Sequence, residues 1–183
     1  YDEESDTSLP WTGLVGLTAE GKMLTTGLPE KMSQEIAKWK NISKAYQYSQ
    51  VMVAIDRQGR VYAATPYEGS MSGDVTELFG GPGVKEIIFR GNLCASLKED
   101  GTVFLVEDNY EEGYLESLFI AENYDAVKSW TDVAEIRILS VEEEGEEDGY
   151  TYTTHYYAIV GVTRDGQLLA DGVRAASSEW ADI

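Results

Sequence analysis

The chain contains the stretch Ile159-Val160-Gly161-Val162-Thr163-Arg164-Asp165-Gly166-Gln167-Leu168-Leu169-Ala170-Asp171-Gly172, in which two apolar segments flank a polar turn. β-branched and large apolar residues favour strands. Glycine after a polar residue favours a tight turn, because glycine adopts positive φ at little cost. The stretch therefore predicts an antiparallel β-hairpin with a two-residue loop ending at Gly166.

The same pattern occurs four times in the 183 residues of the chain. The turn dipeptides are Glu20-Gly21, Gln58-Gly59, Asp100-Gly101 and Asp165-Gly166. The intervals between the turn glycines are 59 − 21 = 38, 101 − 59 = 42 and 166 − 101 = 65 residues. Repeats of about this length are typical of propellers and solenoids. The sequence therefore predicts an all-β array of four repeats.

A second motif follows the hairpins and begins with tryptophan. Its copies are Trp39-Lys40-Asn41-Ile42, Trp130-Thr131-Asp132-Val133 and Trp180-Ala181-Asp182-Ile183, with a degenerate copy at Gly83-Val84-Lys85-Glu86-Ile87-Ile88-Phe89. Apolar alternation continues after the motif, which is typical of a strand with one buried face. We therefore interpret each unit as a hairpin, a variable connection and a Trp-led strand, with units at about 9–48, 49–90, 91–139 and 150–183. The repetition predicts that the tryptophans pack between units, and Cys94, on an apolar strand, is predicted to be a small buried hydrophobe.

These two motifs together resemble the repeat of the regulator-of-chromosome-condensation family, in its bacterial form. That repeat has the pattern Val-Gly-Leu-x-x-Asp-Gly-x-Val-x-x-x-Gly and is followed by a Trp-x-Asp-Ile strand. The matching residues are Val15-Gly16-Leu17 with Gly21 and Gly27, Val160-Gly161-Val162 with Asp165, Gly166 and Gly172, and the motifs at Trp130 and Trp180. The resemblance implies a β-propeller-like array of four such repeats, which is either complete or part of a larger propeller. The nucleotide-exchange activity of the eukaryotic namesake is not implied, because no residues here match its working surface.

The two acidic segments lie outside the repeats. Residues 1–8 are polar and acidic without periodicity and are predicted to be a disordered N-terminal end before a repeat domain at 9–183. Residues 142–149 carry six acidic side chains and are interpreted as an insertion that forms a solvated loop. Calcium binding by this loop is the alternative, although the spacing of its carboxylates is not that of an EF-hand.

The charge of the chain limits its partners. Its formal net charge is −19 at pH 7. Nucleic acid is excluded as a partner, because binding it relies on basic residues that neutralise phosphates. No apolar run reaches about 18 residues, so no membrane span is predicted. Acidity and the single cysteine favour a secreted or cell-surface location, although the compartment stays open.

The tyrosines between the hairpins are the candidate binding residues. Tyrosine combines a large apolar face with a polar hydroxyl and is frequent at interfaces. The residues that we assign to ligand binding lie in the variable connections and beside the acidic insertion: Tyr110, Tyr114, Tyr150, Tyr152, His155 and Tyr156. They predict a non-enzymatic binding module that presents loops to a protein or glycan, without a cofactor or metal.

Two other functions remain open on the sequence alone. His155 is the only histidine of the chain and lies beside the acidic insertion, so a hydrolase that uses His155 with nearby carboxylates is one alternative. The other is a structural segment of a larger propeller, whose open blade edges would associate with further repeats or with copies of the chain.

Overall fold

The structure is a computed structural model and describes residues 12–66, 72–91, 93–106, 124–147 and 150–172. Over these residues the chain forms antiparallel β-sheets and one α-helix, which confirms the predicted all-β class. The elements are β1 (Leu14–Leu17), β2 (Met23–Thr26), α1 (Glu30–Ile36), β3 (Ile42–Tyr48), β4 (Val51–Asp56), β5 (Val61–Ala64), β6 (Gly73–Asp74), β7 (Val84–Arg90), β8 (Leu93–Lys98), β9 (Val103–Leu105), β10 (Val133–Glu147), β11 (Tyr150–Thr163) and β12 (Leu168–Gly172).

The sheets follow one another in chain order. Sheet 1 is β1–β2, sheet 2 is β3–β4–β5–β6, sheet 3 is β7–β8–β9 and sheet 4 is β10–β11–β12. Every pair of neighbouring strands is antiparallel. A hairpin forms around each of the four turn glycines, as the sequence predicted. In the described part of the chain, sheet 1 consists of its hairpin alone, whereas each other sheet has an additional first strand.

The hairpin loops contain three residues and not the two that the sequence pattern predicted. In the first hairpin the Thr18 amide donates to the Lys22 carbonyl at 3.0 Å, and the Gly21 amide donates to the Thr18 carbonyl at 3.0 Å. The same pair of bonds recurs in the other three hairpins. The turn glycines have φ values of 84°, 72°, 85° and 90° in chain order. This is a type I turn followed by a left-handed residue, and the left-handed position is the one that selects glycine.

The Trp-led strands pair with the hairpin that follows them, which differs from the units predicted from the sequence. β3 is hydrogen-bonded to β4, and β10 is hydrogen-bonded to β11. The predicted boundaries at 48/49 and 90/91 therefore fall between strands of one sheet. Connection length explains the pairing, because two residues join Tyr48 to Val51 and a short loop suits an antiparallel neighbour.

The first inter-sheet core contains a buried tryptophan. Met23 of sheet 1 packs with Met52 and Ala54 of sheet 2, and α1 adds Met32. Trp39 lies in this core and is 5% exposed. The prediction that this tryptophan packs between units is confirmed.

The other two cores repeat this arrangement. Between sheets 2 and 3, Val53 packs with Ile87 and the fully buried Cys94, so Cys94 is the small buried hydrophobe that was predicted. Between sheets 3 and 4, Leu97 packs with Ile159 around Trp130, which is 8% exposed. Sheets 2 and 3 therefore each bury one face on the sheet before them and the other face on the sheet after them.

A repeated set of backbone hydrogen bonds ties each turn to the next Trp-led strand. The first residue of the strand donates its amide to the turn glycine: Ile42 to Gly21 at 3.0 Å, Val84 to Gly59 at 3.0 Å and Val133 to Gly101 at 2.9 Å. The residue before it accepts a hydrogen bond from the next hairpin turn. The pairs are Arg57 to Asn41 at 3.0 Å, Glu99 to Gly83 at 2.8 Å and Arg164 to Asp132 at 3.0 Å.

The acidic segment predicted to be a loop continues a strand instead. β10 runs to Glu147, and β11 begins at Tyr150, so residues 142–147 are paired in an antiparallel ladder. Acidic residues do not stand opposite one another in this ladder. Their partners include Thr154, Thr153 and Thr151, and threonine favours strands. The partner strand supplies the β-forming residues that the acidic run lacks.

No helix among the described residues is long and apolar enough to span a membrane.

Candidate functional site

The distal part of the β10–β11 hairpin continues past the described end of β12. Within the described residues, β12 pairs with β11 as far as Ala158, which is opposite Gly172. Beyond that point β10 and β11 remain paired with each other, from Ser140 opposite Tyr157 to Glu147 opposite Tyr150. At about 3.4 Å per residue this extension is about 25 Å long. We call residues 141–147 and 150–156 the acidic ribbon.

The base of the acidic ribbon is fixed to sheet 3. Arg90 donates a hydrogen bond from Nε to Ser140 Oγ at 2.8 Å, and Lys85 donates from Nζ to the Ala134 carbonyl at 2.8 Å. Arg137 lies 3.7 Å from a carboxylate oxygen of Glu86. These contacts cross from one sheet to the next, so they set the direction in which the ribbon leaves the body of the protein.

A row of half-buried aromatic side chains lies beside this base. The rings of Tyr48 and Phe89 stack with centroids 5.1 Å apart. Tyr48 donates its hydroxyl hydrogen bond to the Gly91 carbonyl, and Tyr157 packs against Gly91, where a Cβ would lie 2.1 Å from the Tyr157 hydroxyl oxygen. Gly91 therefore leaves the space that Tyr157 occupies. The row joins sheet 2 to the first residue pair of the extension.

The tyrosines near the ribbon base have raised pKa values. Burial raises the pKa of Tyr48, and the neighbouring Cys94 and Tyr157 raise it further. Burial also raises the pKa of Tyr124, whose hydroxyl donates to the Tyr157 carbonyl at 3.0 Å. Both phenols therefore remain hydrogen-bond donors to a higher pH than an exposed tyrosine does.

The ladder register divides the residues of the acidic ribbon between two faces. Successive strand residues belong to opposite faces of a ribbon. Tyr150, Tyr152 and Tyr156 alternate with other residues of β11, so their backbone positions fall on one face, and His155 falls on the other. Glu142 is the residue opposite His155. The structure therefore groups three of the predicted tyrosines and separates the histidine from them.

The remaining predicted site residues, Tyr110 and Tyr114, lie outside the described residues. Sequence analysis omitted Tyr48, Phe89 and Tyr157 from the site, because strand aromatics are usually core residues and their half-exposed position depends on three different sheets. One local feature of the sequence could have indicated Tyr157. Neighbouring strand residues belong to opposite faces, so the pair Tyr156-Tyr157 places a tyrosine position on each face.

The site consists of hydrogen-bonding and charged residues on two paired strands. Within the described ranges, no group of three or more His, Cys, Asp or Glu residues could hold a metal ion. Alternation also assigns the backbone positions of the acidic residues to two faces, with Glu142 and Glu144 on one and Glu143 on the other. The arrangement suits recognition of a partner surface by carboxylate acceptors and tyrosines.

The chain matches no protein-family model, no curated protein and no solved structure in comparisons with known proteins.

Proposed function

We propose that the protein is a non-enzymatic binding module, a propeller-like array of regulator-of-chromosome-condensation-type repeats that presents the acidic ribbon to a protein or glycan partner. One observation carries this proposal: β10 and β11 remain paired from Ser140 to Glu147, beyond the last residue of β12 that the structure describes. A two-stranded ribbon in water is only marginally stable without a further covering surface. A partner surface that packs on the ribbon supplies that cover.

The repeat assignment is supported by the turn contacts. Three turn glycines, Gly21, Gly59 and Gly101, accept the same hydrogen bond from the next Trp-led strand. Consecutive sheets also share one core each, in chain order. Stacking of this kind is expected of propeller blades. The same local contacts are expected for the alternative function, in which this chain is a structural segment of a larger propeller.

The charge of the ribbon favours a basic protein surface over a neutral glycan. Residues 142–149 carry six acidic side chains and no basic one, within a chain of net charge −19. Complementary charge raises the association rate of two proteins and disfavours partners that carry like charge. Tyrosines on one face add apolar area at small entropic cost, which suits either a protein or a sugar ring.

The test uses defined probes and variants of matched charge. Biolayer interferometry measures binding of the full chain to a 15-residue Lys/Gly/Ser peptide with eight lysines, and a glycan array tests the sugar alternative. The ribbon variant carries Glu142→Gln, Glu143→Gln, Glu144→Gln and Glu146→Gln. The control variant carries four neutral replacements at exposed acidic residues of the body: Glu30→Gln, Glu77→Gln, Glu99→Gln and Asp125→Asn.

We expect the ribbon variant to bind the peptide at least tenfold more weakly and the control to lose less than threefold. Equal losses in both variants contradict the proposal, because they indicate general attraction to net charge. Absence of binding by the unaltered chain to both probes also contradicts it. Binding to defined glycans alone selects the glycan form of the proposal.

The hydrolase alternative rests on the register that places Glu142 opposite His155. A general base requires a positioned nucleophile and an orienting acid. Hydrolysis of p-nitrophenyl acetate and of p-nitrophenyl glycosides is measured for the unaltered chain and for His155→Ala. Turnover that the His155→Ala variant abolishes supports the enzyme, whereas equal background rates support the binding module.

A further inference from the structure

Sheet 1 exposes the face with which each later sheet packs on the sheet before it. Leu14 and Leu24 lie on this face, because Leu24 is opposite Gly16 and Leu14 is two residues from Gly16 on the same strand. Leu14 is 75% exposed and Leu24 is 51% exposed. The equivalents of Leu14, each seven residues before its turn glycine, are 4%, 0% and 0% exposed: Met52, Cys94 and Ile159. The same position is therefore buried in three sheets and open in the first.

Sheet 4 exposes the opposite kind of face at the other end of the array. Leu168 lies two residues after its turn glycine and is 38% exposed. Its equivalents in sheets 1, 2 and 3 pack on the following sheet and are 6%, 0% and 6% exposed: Met23, Val61 and Val103. Val160 and Ala170, which are paired with each other, continue this face of sheet 4. The described array therefore has an open apolar face at each end.

The two open faces are the two halves of a contact that occurs three times within the chain. In each described core, an equivalent of Leu168 is buried together with an equivalent of Leu14. The pairs are Met23 with Met52, Val61 with Cys94, and Val103 with Ile159. None of these three cores contains residues of both sheet 4 and sheet 1. In the described part of the chain, the halves of a fourth contact therefore belong to opposite ends of the array.

Gly16 indicates that another backbone approaches the open face of sheet 1. Its equivalents, each five residues before the turn glycine, are small and buried: Ala54, Ser96 and Gly161. Gly16 has no positive φ, and among the described residues a Cβ there would meet only Leu24 Cβ, at 3.9 Å. Glycine inside a strand weakens the strand and often marks the close approach of another backbone. Neither the turn geometry nor the described neighbours of Gly16 require it to be glycine, so the neighbour that does is sought outside the chain.

We propose that a second copy of the chain covers both open faces. Sheet 1 of each copy stacks on sheet 4 of the other, and Leu14 of one copy is buried together with Leu168 of the other. Such a contact joins two different surfaces, and it forms a closed ring when the rotation between the copies closes. Two copies of four sheets give a ring of eight sheets, within the four to eight blades that are typical of propellers.

The forces in this contact differ from those at the acidic ribbon. The faces meet through apolar side chains, whereas each copy carries a formal net charge of −19 and repels the other. Salt screens this repulsion, since the Debye length falls from about 10 Å at 0.1 M to about 3 Å at 1 M. Self-association is therefore expected to strengthen with salt, whereas binding of the ribbon to a lysine-rich peptide weakens.

Sedimentation velocity of the full chain tests the contact. It is measured from about 10 µM to about 300 µM protein, at about 0.05 M and about 0.5 M NaCl. We expect a monomer–dimer equilibrium whose dissociation constant falls at least threefold at the higher salt. A monomer at every concentration overturns the proposal. Association that weakens with salt, or that continues beyond the dimer, overturns it as well.

Three substitutions address the two faces separately. Leu14→Lys and Leu168→Lys place a charge on one face each, and Gly16→Val fills the space on sheet 1. Gln58→Lys is the control of matched charge, because Gln58 is exposed in the turn of sheet 2. We expect each of the three substitutions to weaken dimerisation at least tenfold and the control to weaken it less than threefold. Gly16→Val is expected to retain the fold in urea unfolding, since valine favours strands. Dimerisation that Leu14→Lys and Gly16→Val leave unchanged overturns the proposal.

A mixture of two variants tests whether the contact joins two different surfaces. In a dimer of the Leu14→Lys chain with the Leu168→Lys chain, both substitutions fall in one contact and the other contact is unaltered. The equimolar mixture is therefore expected to dimerise more strongly than either variant alone at the same total concentration. A mixture no stronger than either variant overturns the head-to-tail contact.

The ribbon variant separates this proposal from the binding function. Its four substitutions, from Glu142→Gln to Glu146→Gln, lie outside both open faces. We expect this variant to dimerise as the unaltered chain does and to lose its binding to the lysine-rich peptide. Failure of the dimer thus leaves the ribbon proposal standing, and failure of peptide binding leaves the dimer standing.

Discussion

The Val84 amide donates a hydrogen bond to the Gly59 carbonyl at 3.0 Å, and this bond joins the turn of sheet 2 to the first strand of sheet 3. It requires the backbone of the two sheets to approach without side chains between them. A Cβ at Gly59 would lie 2.6 Å from the Val84 nitrogen and 2.6 Å from the Gly83 Cα. Gly59 therefore serves the stacking of sheets as well as the geometry of its own turn.

Gly59→Ala is expected to lower the free energy of unfolding by about 2–5 kcal/mol. The left-handed backbone costs an alanine about 1–2 kcal/mol, and overpacking costs about 1–3 kcal/mol more. The matched control is Gly166→Ala, at the same turn position with φ 90°, where a Cβ meets nothing within 4 Å among the described residues. Urea unfolding measures both variants. Equal effects at the two glycines contradict a role for Gly59 in sheet stacking.

Trp130→Ala is expected to destabilise the chain by about 3–5 kcal/mol, the usual range for removing a buried aromatic side chain. The ring fills the core between sheets 3 and 4, and a Cβ at Gly161 would lie 3.1 Å from its Cζ3 atom. Leu24→Ala is the control, because Leu24 is 51% exposed, and we expect it to cost less than about 1 kcal/mol. A small loss for Trp130→Ala in thermal and urea unfolding contradicts the packing role.

The hairpins could be predicted from the sequence because their cause is local. Gly21, Gly59, Gly101 and Gly166 each require a left-handed turn position, and the flanking apolar residues favour strands. The length of the loop could not be read in this way, since Asp165-Gly166 suits both a two-residue turn and the end of a three-residue loop. A hydrogen bond to Thr163 decides between them.

The pairing of strands and the acidic ribbon depend on residues that are distant in sequence. The motif at Trp39 follows one hairpin and precedes another, and the sequence does not state which of them it joins. The acidic run was interpreted as a loop because like charges favour solvent, yet each acidic residue from Glu142 to Glu147 stands opposite a threonine, tyrosine or histidine. Cross-strand register decides the structure there, and register is invisible in one strand.

Asp56→Ala is expected to destabilise the chain by about 2–4 kcal/mol, because two turn amides and the Arg60 side chain lose their acceptor, at about 1 kcal/mol for each hydrogen bond. The Asp56 side chain is fully buried and accepts hydrogen bonds from the amides of Gln58 and Arg60, both at 2.9 Å. Its second oxygen lies 2.8 Å from Arg60 Nη2. Asp56→Asn retains an acceptor for the turn amides, so we expect about half the loss in urea unfolding. An equal loss for Asn and Ala would assign the effect to the Arg60 ion pair instead.

Cys94 is expected to resist alkylation in the native protein. Burial raises the pKa of its thiol well above the ordinary value, so the reactive thiolate is disfavoured, and the side chain is 0% exposed. Iodoacetamide at pH 8 should modify the native chain at least 100-fold more slowly than the chain in 6 M guanidinium chloride. Mass spectrometry measures both rates. Rapid native modification contradicts the packing of Cys94 between sheets 2 and 3.

Shortening the acidic ribbon is expected to leave the body of the protein folded. Deleting residues 141–156 and joining Ser140 to Tyr157 through Asn-Gly preserves the register, because these two residues are paired and Asn-Gly forms a two-residue hairpin turn. The cores that stack the sheets lie outside the deleted residues. We expect Tm to change by less than about 4 °C, which corresponds to about 1–2 kcal/mol for a domain of this size. The control deletes residues 141–157 and joins Ser140 to Ala158 through the same Asn-Gly turn, which shifts every later residue of β11 to the opposite face. That control is expected to unfold, and equal stability of the two deletions in thermal unfolding would contradict the register of sheet 4.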